Sequence, residues 1–416
     1  MTEPEPVSPP PGLRPWDAFF FRDYRFMWGT GLFTVMSRWM RILVTAQWIF
    51  EDTGSAAQLG VIGGVQLVVQ IPALLWGGAL ADRLDRKRLI VLAHATSFAV
   101  LLSLGLLDRA GALATWHVYL AIGVTAASQM VASPATAALT PSVVPERYLM
   151  LAITSDTATQ NAGSIIGPLI FAGVASTFGL TEAFFVGAVL TLPAAVLPLF
   201  VRARSRAEGG GDGSTVRRVW EGFRYVVRHP ILPGLFLLDT GITVVSFYRE
   251  ILPVLAKGLF RGGAGAVGVL GAANSAGAVV GSFVALFFAG YRRKGMLVLY
   301  ATLAYALILF VFASVTTLWL GAVAIAALGG ADAVTVAVRQ TTVQLTTPDH
   351  MRGRAYSFLI LVAQSANNVG TLWVGFWSAA IGAQGTMLLG AVLSLVATLL
   401  IGRLWRPIRE YRHLGA

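Results

Sequence analysis

The sequence predicts an all-α polytopic membrane protein of twelve transmembrane helices in two pseudo-symmetric six-helix bundles, with both termini cytoplasmic. Three observations carry this. The chain of 416 residues is 56% hydrophobic and only 12% charged, with a mean hydropathy of +0.70, whereas a soluble domain is about a quarter charged. Polar segments divide it into about twelve apolar runs of roughly 18–26 residues, enough for a helix to cross a hydrocarbon core. Such runs must be helical, because lipid offers the backbone no partners. Finally, the halves match at one offset. Pro145-Glu146 aligns with Pro348-Asp349, 203 residues on, and the same shift places Gly78 on Gly281, Gly167 on Gly370 and Asn161 on Gln364.

The net charge of +11 is topogenic and not the footprint of a nucleic-acid surface. Of the 31 lysines and arginines, Arg109, Lys257 and Arg261 are assigned outside, and Arg38, Arg41, Arg249 and Arg339 lie within helices; the rest fall on the cytoplasmic side. No cysteine is present, which excludes disulfides and thiol chemistry. Neither a phosphate loop nor the histidine spacing of a metal site appears. His94, His117, His229, His350 and His413 fall at predicted helix ends or loops and read as solvated or headgroup-facing. No enzyme chemistry, cofactor or metal is expected.

Residues 1–25 form a cytoplasmic tail, proline-rich and acidic, ending in an aromatic and charged interfacial helix; without a cleavable signal, the first transmembrane helix acts as the insertion signal. The first bundle spans 26–202. Helix 1 (about 26–50) carries Arg38, whose burial in lipid would cost roughly 2.5–3.5 kcal/mol, so it faces protein or a watery cavity. Helices 2 (about 57–80) and 3 (about 89–107) flank a basic loop. Helix 4 (about 114–138) holds Gln129, helix 5 (about 150–175) holds Asp156, Gln160 and Asn161, and helix 6 spans about 181–201.

A linker with an amphipathic helix fills 203–229, and the second bundle spans 230–405. Helix 7 (about 231–256) carries Asp239, Arg249 and Glu250. Helices 8 (about 264–289) and 9 (about 296–314) follow, and helix 10 (about 318–339) carries Asp332 and Arg339 on one face. Helix 11 (about 355–378) holds Gln364 and Asn367. Helix 12 (about 384–402) leads to a cytoplasmic tail at 406–416.

The loop between helices 2 and 3 holds Gly78, Leu80, Asp82, Arg83, Arg86, Lys87 and Arg88 in the pattern Gly-x-Leu-x-Asp-Arg-x-x-Arg-[Lys/Arg]-[Lys/Arg]. It resembles the signature loop of the major facilitator superfamily of secondary transporters, with Asp85 where that family usually has glycine. The resemblance implies the major facilitator fold and a gating role for Asp82 and Arg86. Gly163, Gly167 and Pro168 resemble the helix 5 element of the superfamily's antiporter-type exporters; glycines four apart permit close packing, and the proline removes a helix donor. Phe21-Arg22-Asp23-Tyr24-Arg25, the Ala-Asp-Arg-x-x-Arg loop and Thr347-Pro348-Asp349-His350-Met351-Arg352-Gly353-Arg354 resemble the branch of enterobactin exporters and macrolide efflux proteins.

Intramembrane charges are costly, so each is a functional candidate. Asp239 and Asp332 are the expected proton or cation sites. Arg38, Arg249, Glu250, Gln129, Gln160, Asn161, Gln364 and Asn367 are candidates to line a substrate cavity between the halves. Structural pairing of these charges is the competing reading, and Trp28, Trp39, Trp48, Trp76, Trp373 and Trp377 are either stacking platforms or interface and core residues. The function expected is proton-coupled export of a medium-sized amphipathic organic compound, a drug, antibiotic or siderophore, by a monomer in a bacterial inner membrane. An uptake permease and a non-transporting receptor or scaffold of the same fold are the alternatives.

Overall fold

A computed structural model describes residues 14, 16–83, 85–203, 215–288 and 290–411; the side chains of residues 71, 74–83, 138, 140, 215, 216, 218, 219, 349, 350 and 352 are outside that description. The described chain is helical, without a strand. After a 3-10 turn at Asp17–Phe20, the helices are α1 (Arg22–Thr53), α2 (Ala56–Arg83), α3 (Arg86–Arg109), α4 (Thr115–Leu139), α5 (Glu146–Thr177), α6 (Leu180–Val196) and α7 (Thr215–Arg228). Next come α8 (Leu232–Ser246), α9 (Leu252–Phe260), α10 (Ala264–Phe287), α11 (Lys294–Ser314), α12 (Leu318–Thr346), α13 (Asp349–Leu404) and α14 (Arg406–Glu410).

Among the described residues seven helices are long and apolar enough to cross a membrane, or eight if the bent pair of α7 and the segment Leu232–Phe260 is one span. That pair is bent by 106°. The angle turns the amphipathic α7 across the axis of α8, as a helix lying along a membrane face would be turned. Helices α1 and α5 fall outside the seven; Arg38 and Arg41 in one, and Asp156, Gln160 and Asn161 in the other, dilute their apolar character.

Four expectations need correction. Helix α1 begins at Arg22, because nothing in 22–25 breaks a helix and Asp23 anchors the start by accepting from the backbone N–H groups of Arg202 and Ala203 at 2.9 and 2.8 Å. Helix 7 is interrupted: α8 stops at Ser246, and α9 restarts at Leu252 after a 3-10 turn. Pro253 explains this, since its ring lacks an N–H and would meet the carbonyl four residues back in a continuous helix. No loop separates helices 11 and 12, which join at Gly382, where φ is 77° and glycine avoids the left-handed penalty. Lastly, His94 is buried within the first six helices and its Nε2 lies 3.2 Å from the Thr34 hydroxyl.

Packing divides the chain into two sets. Helix α1 packs on α5 and α6, α3 on α4 and α6, and α2 on α4; in the second set α10 and α11 pack on α12, and α8 and α11 on α13. The sets meet along two seams, α2 with α13 and α5 with α10. Both seams are built from bare backbone near the end marked by Gly54 and the α1–α2 turn. A Cβ at Gly63 would strike the carbonyl of Asn368, and one at Gly268 the carbonyl of Pro168. The repeat survives as geometry: a Cβ at Gly167 would lie 2.9 Å from Trp39 of α1, and its counterpart at Gly370 would lie 2.7 Å from Phe247, just past α8, and 2.8 Å from the carbonyl of Thr243 within it.

At the opposite, basic end, Asp85 caps α3 by accepting from the N–H groups of Lys87 and Arg88 at 2.9 and 3.3 Å. The departure from the glycine of the signature loop thus supplies an N-cap. Lys87 donates to the Val201 carbonyl at 3.1 Å, tying α3 to the end of the sixth helix. The side chains of Gly78, Asp82 and Arg83 lie outside the described residues, as do His413 and residues 204–214 of the linker.

Candidate functional site

The interruption between α8 and α9 builds the site. Phe247 is extended, and the turn that follows aims Tyr248 and Arg249 into a cavity of about 220 Å³. Arg249 places its guanidinium 5.2 Å from the Trp39 ring and 5.3 Å from that of Phe247. A cation between two aromatic faces is held by their negative quadrupoles. Trp39 comes from α1 and reaches this position because Gly167 lets α5 press against it, so the helix 5 element and the cavity are mechanically joined.

Asp332, Thr335 and Arg339 enter the cavity from α12, Tyr305 from α11 and Asn367 from α13. Asp332 is solvent-accessible there and has no hydrogen-bond or ion-pair partner among the described residues. It shares the cavity with Arg249, whose charge acts on it. Asp239 lines the same cavity but is engaged: its Oδ2 forms an ion pair with Nη1 of Arg339, both side chains being largely buried. The neighbouring tyrosines are fixed too, Tyr248 accepting from Asn274 at 2.6 Å and Tyr305 sharing a 3.2 Å bond with Ser246.

The other predicted residues separate. Glu250 is buried beside the cavity and accepts from the Thr371 hydroxyl at 3.2 Å. Gln364 and Asn367 approach at 3.5 Å; Gln364 is exposed, as is Gln160, and neither they nor Asn161 line the cavity. Arg38 and Gln129 line a separate pocket of about 20 Å³ among α1, α3, α4 and α6, with Thr34, Ser37, Arg41, His94, Ser97 and Thr191. Asp332 is the counterpart of Gln129 at the repeat offset of 203. The residues missed by sequence reasoning are Tyr248, Tyr305 and Thr335, which carry no charge to mark them, and Arg41 and His94.

Of the tryptophans, only Trp39 among the described residues lines the cavity. Trp28 donates to Thr159 at 2.5 Å and Trp48 to Asp108 at 2.7 Å, while Trp373 and Trp377 pack on each other at 5.9 Å. No group of three or more metal-ligating side chains occurs among the described residues.

Two sets of membrane helices, meeting along glycine seams beside a polar cavity with charges deep inside, are the architecture of a membrane transporter. The profile of the family described as transmembrane secretion effectors matches residues 14–413, and the chain belongs to that family of the major facilitator superfamily. It is 30% identical over 375 residues to the enterobactin exporter EntS of Escherichia coli K12, covering 87% of this chain and 86% of that one. Solved structures share the fold. A bacterial homologue of the human lysosomal transporter Spinster, inward-facing and unoccupied, aligns at a TM-score of 0.67 with 16% identity over 97% of this chain and 100% of that one. The nucleoside transporter NupG aligns at 0.73 with 13% identity, over 92% and 99%.

Proposed function

We propose that this transporter exports a medium-sized amphipathic organic compound, a drug, antibiotic or siderophore, by proton-coupled antiport and alternating access. The carrying observation is Asp332: a carboxylate accessible in the central cavity, without a fixed partner, opposite the aromatic-clamped Arg249. An acid that can change its proton without losing a structural bond suits a coupling site. Asp239 is the second candidate and acts with Arg339, its ion-pair partner. The similarity to an enterobactin exporter supports the outward direction and favours a siderophore-like cargo.

In this reading twelve spans are formed by α1 to α6, α8 with α9, α10, α11, α12 and the two parts of α13, in bundles of 26–202 and 230–405. Both termini, the basic loop and α7 face the cytoplasm of a bacterial inner membrane, and the monomer is the working unit. Arg249, Glu250 and Asn367 contribute from the second bundle, and Arg38 and Gln129 from the first; Gln160, Asn161 and Gln364 join when the halves move. Asp82 and Arg86 hold the cytoplasmic side closed when the cavity opens outward.

The test is efflux of siderophores, macrolides and dyes from cells expressing the protein, with and without a protonophore, beside Asp82→Asn. Efflux that collapses with the protonophore and in the variant, at equal levels of folded protein, is the expected result. Inward accumulation, or no transport by well-expressed protein, would contradict export.

A further inference from the structure

Arg38 and Arg41 are two cations for which the described residues of the first six helices provide no matching carboxylate. Thr34, Ser37, Arg38 and Arg41 stand at i, i+3, i+4 and i+7 and share one face of α1. That face meets His94 and Ser97 of α3, Gln129 of α4 and Thr191 of α6 around the 20 Å³ pocket. Arg41 donates to the Thr125 hydroxyl at 2.8 Å, and Gln129 donates to Ser97 at 3.3 Å. These are neutral acceptors. Neither arginine has an ion-pair partner among the described residues, and Arg38 is exposed while lining the pocket.

The described carboxylates of these helices are remote. At 1.5 Å per residue, Glu51 is about 15 Å along α1 from Arg41, and Tyr24, which holds Asp156 through a 3.1 Å bond, is about 21 Å from Arg38. On α3, Asp85 is about 13 Å from His94. Arg249, from the other helix set, and Arg41 are both close enough to act on Arg38 electrostatically. Three guanidiniums therefore run from the cavity into the first helix set, opposed at the cavity by Asp332 and Glu250. Cations in a low-dielectric interior stay charged at tolerable cost when a counter-anion binds them.

We infer that Arg38 and Arg41, with Gln129 and the His94 ring beside them, form an anion subsite, and that the exported compound is an organic acid whose carboxylate or equivalent oxyanion enters it. The inference rests on the export reading for the word exported, but not for the site. The pocket is the size of one water or one oxygen group, which fits the oxyanion end of an acid and not its body. Guanidiniums match an oxyanion in geometry as well as in charge.

Two isosteric probes test the site on purified full-length protein: benzoate and benzamide, followed by thermal unfolding across a concentration series, with chloride as a third ligand. Benzoate is expected to raise the unfolding temperature in a saturable manner and benzamide not. Arg38→Gln and Arg41→Gln should weaken the benzoate response roughly tenfold or more, and Arg38→Lys should retain part of it. An equal response to benzamide, an undiminished response in the Arg38→Gln/Arg41→Gln double variant, or chloride matching benzoate would overturn it. The probe comparison needs no variant, so misfolding of a variant cannot mask the answer. Benzoate binding without efflux of any compound would remove the export reading and leave the subsite. Efflux restricted to neutral or cationic compounds and unaffected by Arg38→Gln would remove the subsite's role and leave export.

Discussion

Arg339 of α12 and Asp239 of α8 form an ion pair across the second helix set, with both side chains largely withdrawn from solvent. Breaking such a pair strands an uncompensated charge. Asp239→Asn should therefore destabilise the protein by about 3–5 kcal/mol, read as a lower unfolding temperature in detergent. The double variant Asp239→Asn/Arg339→Met should recover most of it. Recovery of stability without recovery of transport would place the pair in the transport cycle as well.

Asp332 predicts the opposite pattern. It has no structural bond to lose among the described residues, so Asp332→Asn should unfold within about 1 kcal/mol of wild type while net proton-driven efflux falls to background. Thermal unfolding and efflux measured on the same preparations check both halves of the statement.

Gly63 is pressed against the backbone of Asn368 and the side chain of Thr371 across the α2/α13 seam. Gly63→Val should oppose closure of that end by about 1–3 kcal/mol. A spin-label pair flanking the α1–α2 turn and the Gly382 junction should show its longer distance gaining population in the variant; an unchanged distribution would show that the seam does not close through Gly63.

Glu221 joins α7 to the second helix set, accepting from Arg217 at 2.8 Å and pairing with Arg354 at 2.9 Å. The hydrogen bond from Arg217, with the charges of both arginines, holds its carboxyl below the ordinary carboxylate value. A depressed value means that the attachment is present at neutral pH and is lost only as pH falls through that lowered value. A spin label at Arg224 should stay immobile from neutral pH to mildly acid conditions and loosen below the ordinary glutamate range. Glu221→Gln should abolish that pH dependence.

Much of the fold was legible because lipid leaves few options. Apolar length marks helices, basic loops mark one face, and Gly167 and Gly370, paired by offset alone, do sit at equivalent contacts, α5 on α1 and α13 on α8. The interruption at Phe247–Ile251 was written in Pro253, but a continuous apolar run masked it. Asp239 with Arg339 was not legible, since 100 residues separate two charges with several other possible mates. Arg38 and Arg41 were legible as charges within helix 1, yet their gathering around a pocket of the first helices, with a buried His94, depends on how four helices pack. The cavity itself drew on uncharged Tyr248, Tyr305 and Thr335, for which sequence offers no distinguishing mark.

The most direct test separates coupling from carriage. With any compound that the cells are found to export, net efflux and one-for-one exchange of labelled for unlabelled compound should be measured side by side in wild type and Asp332→Asn. The account predicts that Asp332→Asn loses protonophore-sensitive net efflux and keeps exchange, because the cargo still binds and the halves still alternate. Net efflux equal to wild type in that variant would contradict the central claim that Asp332 carries the coupling proton.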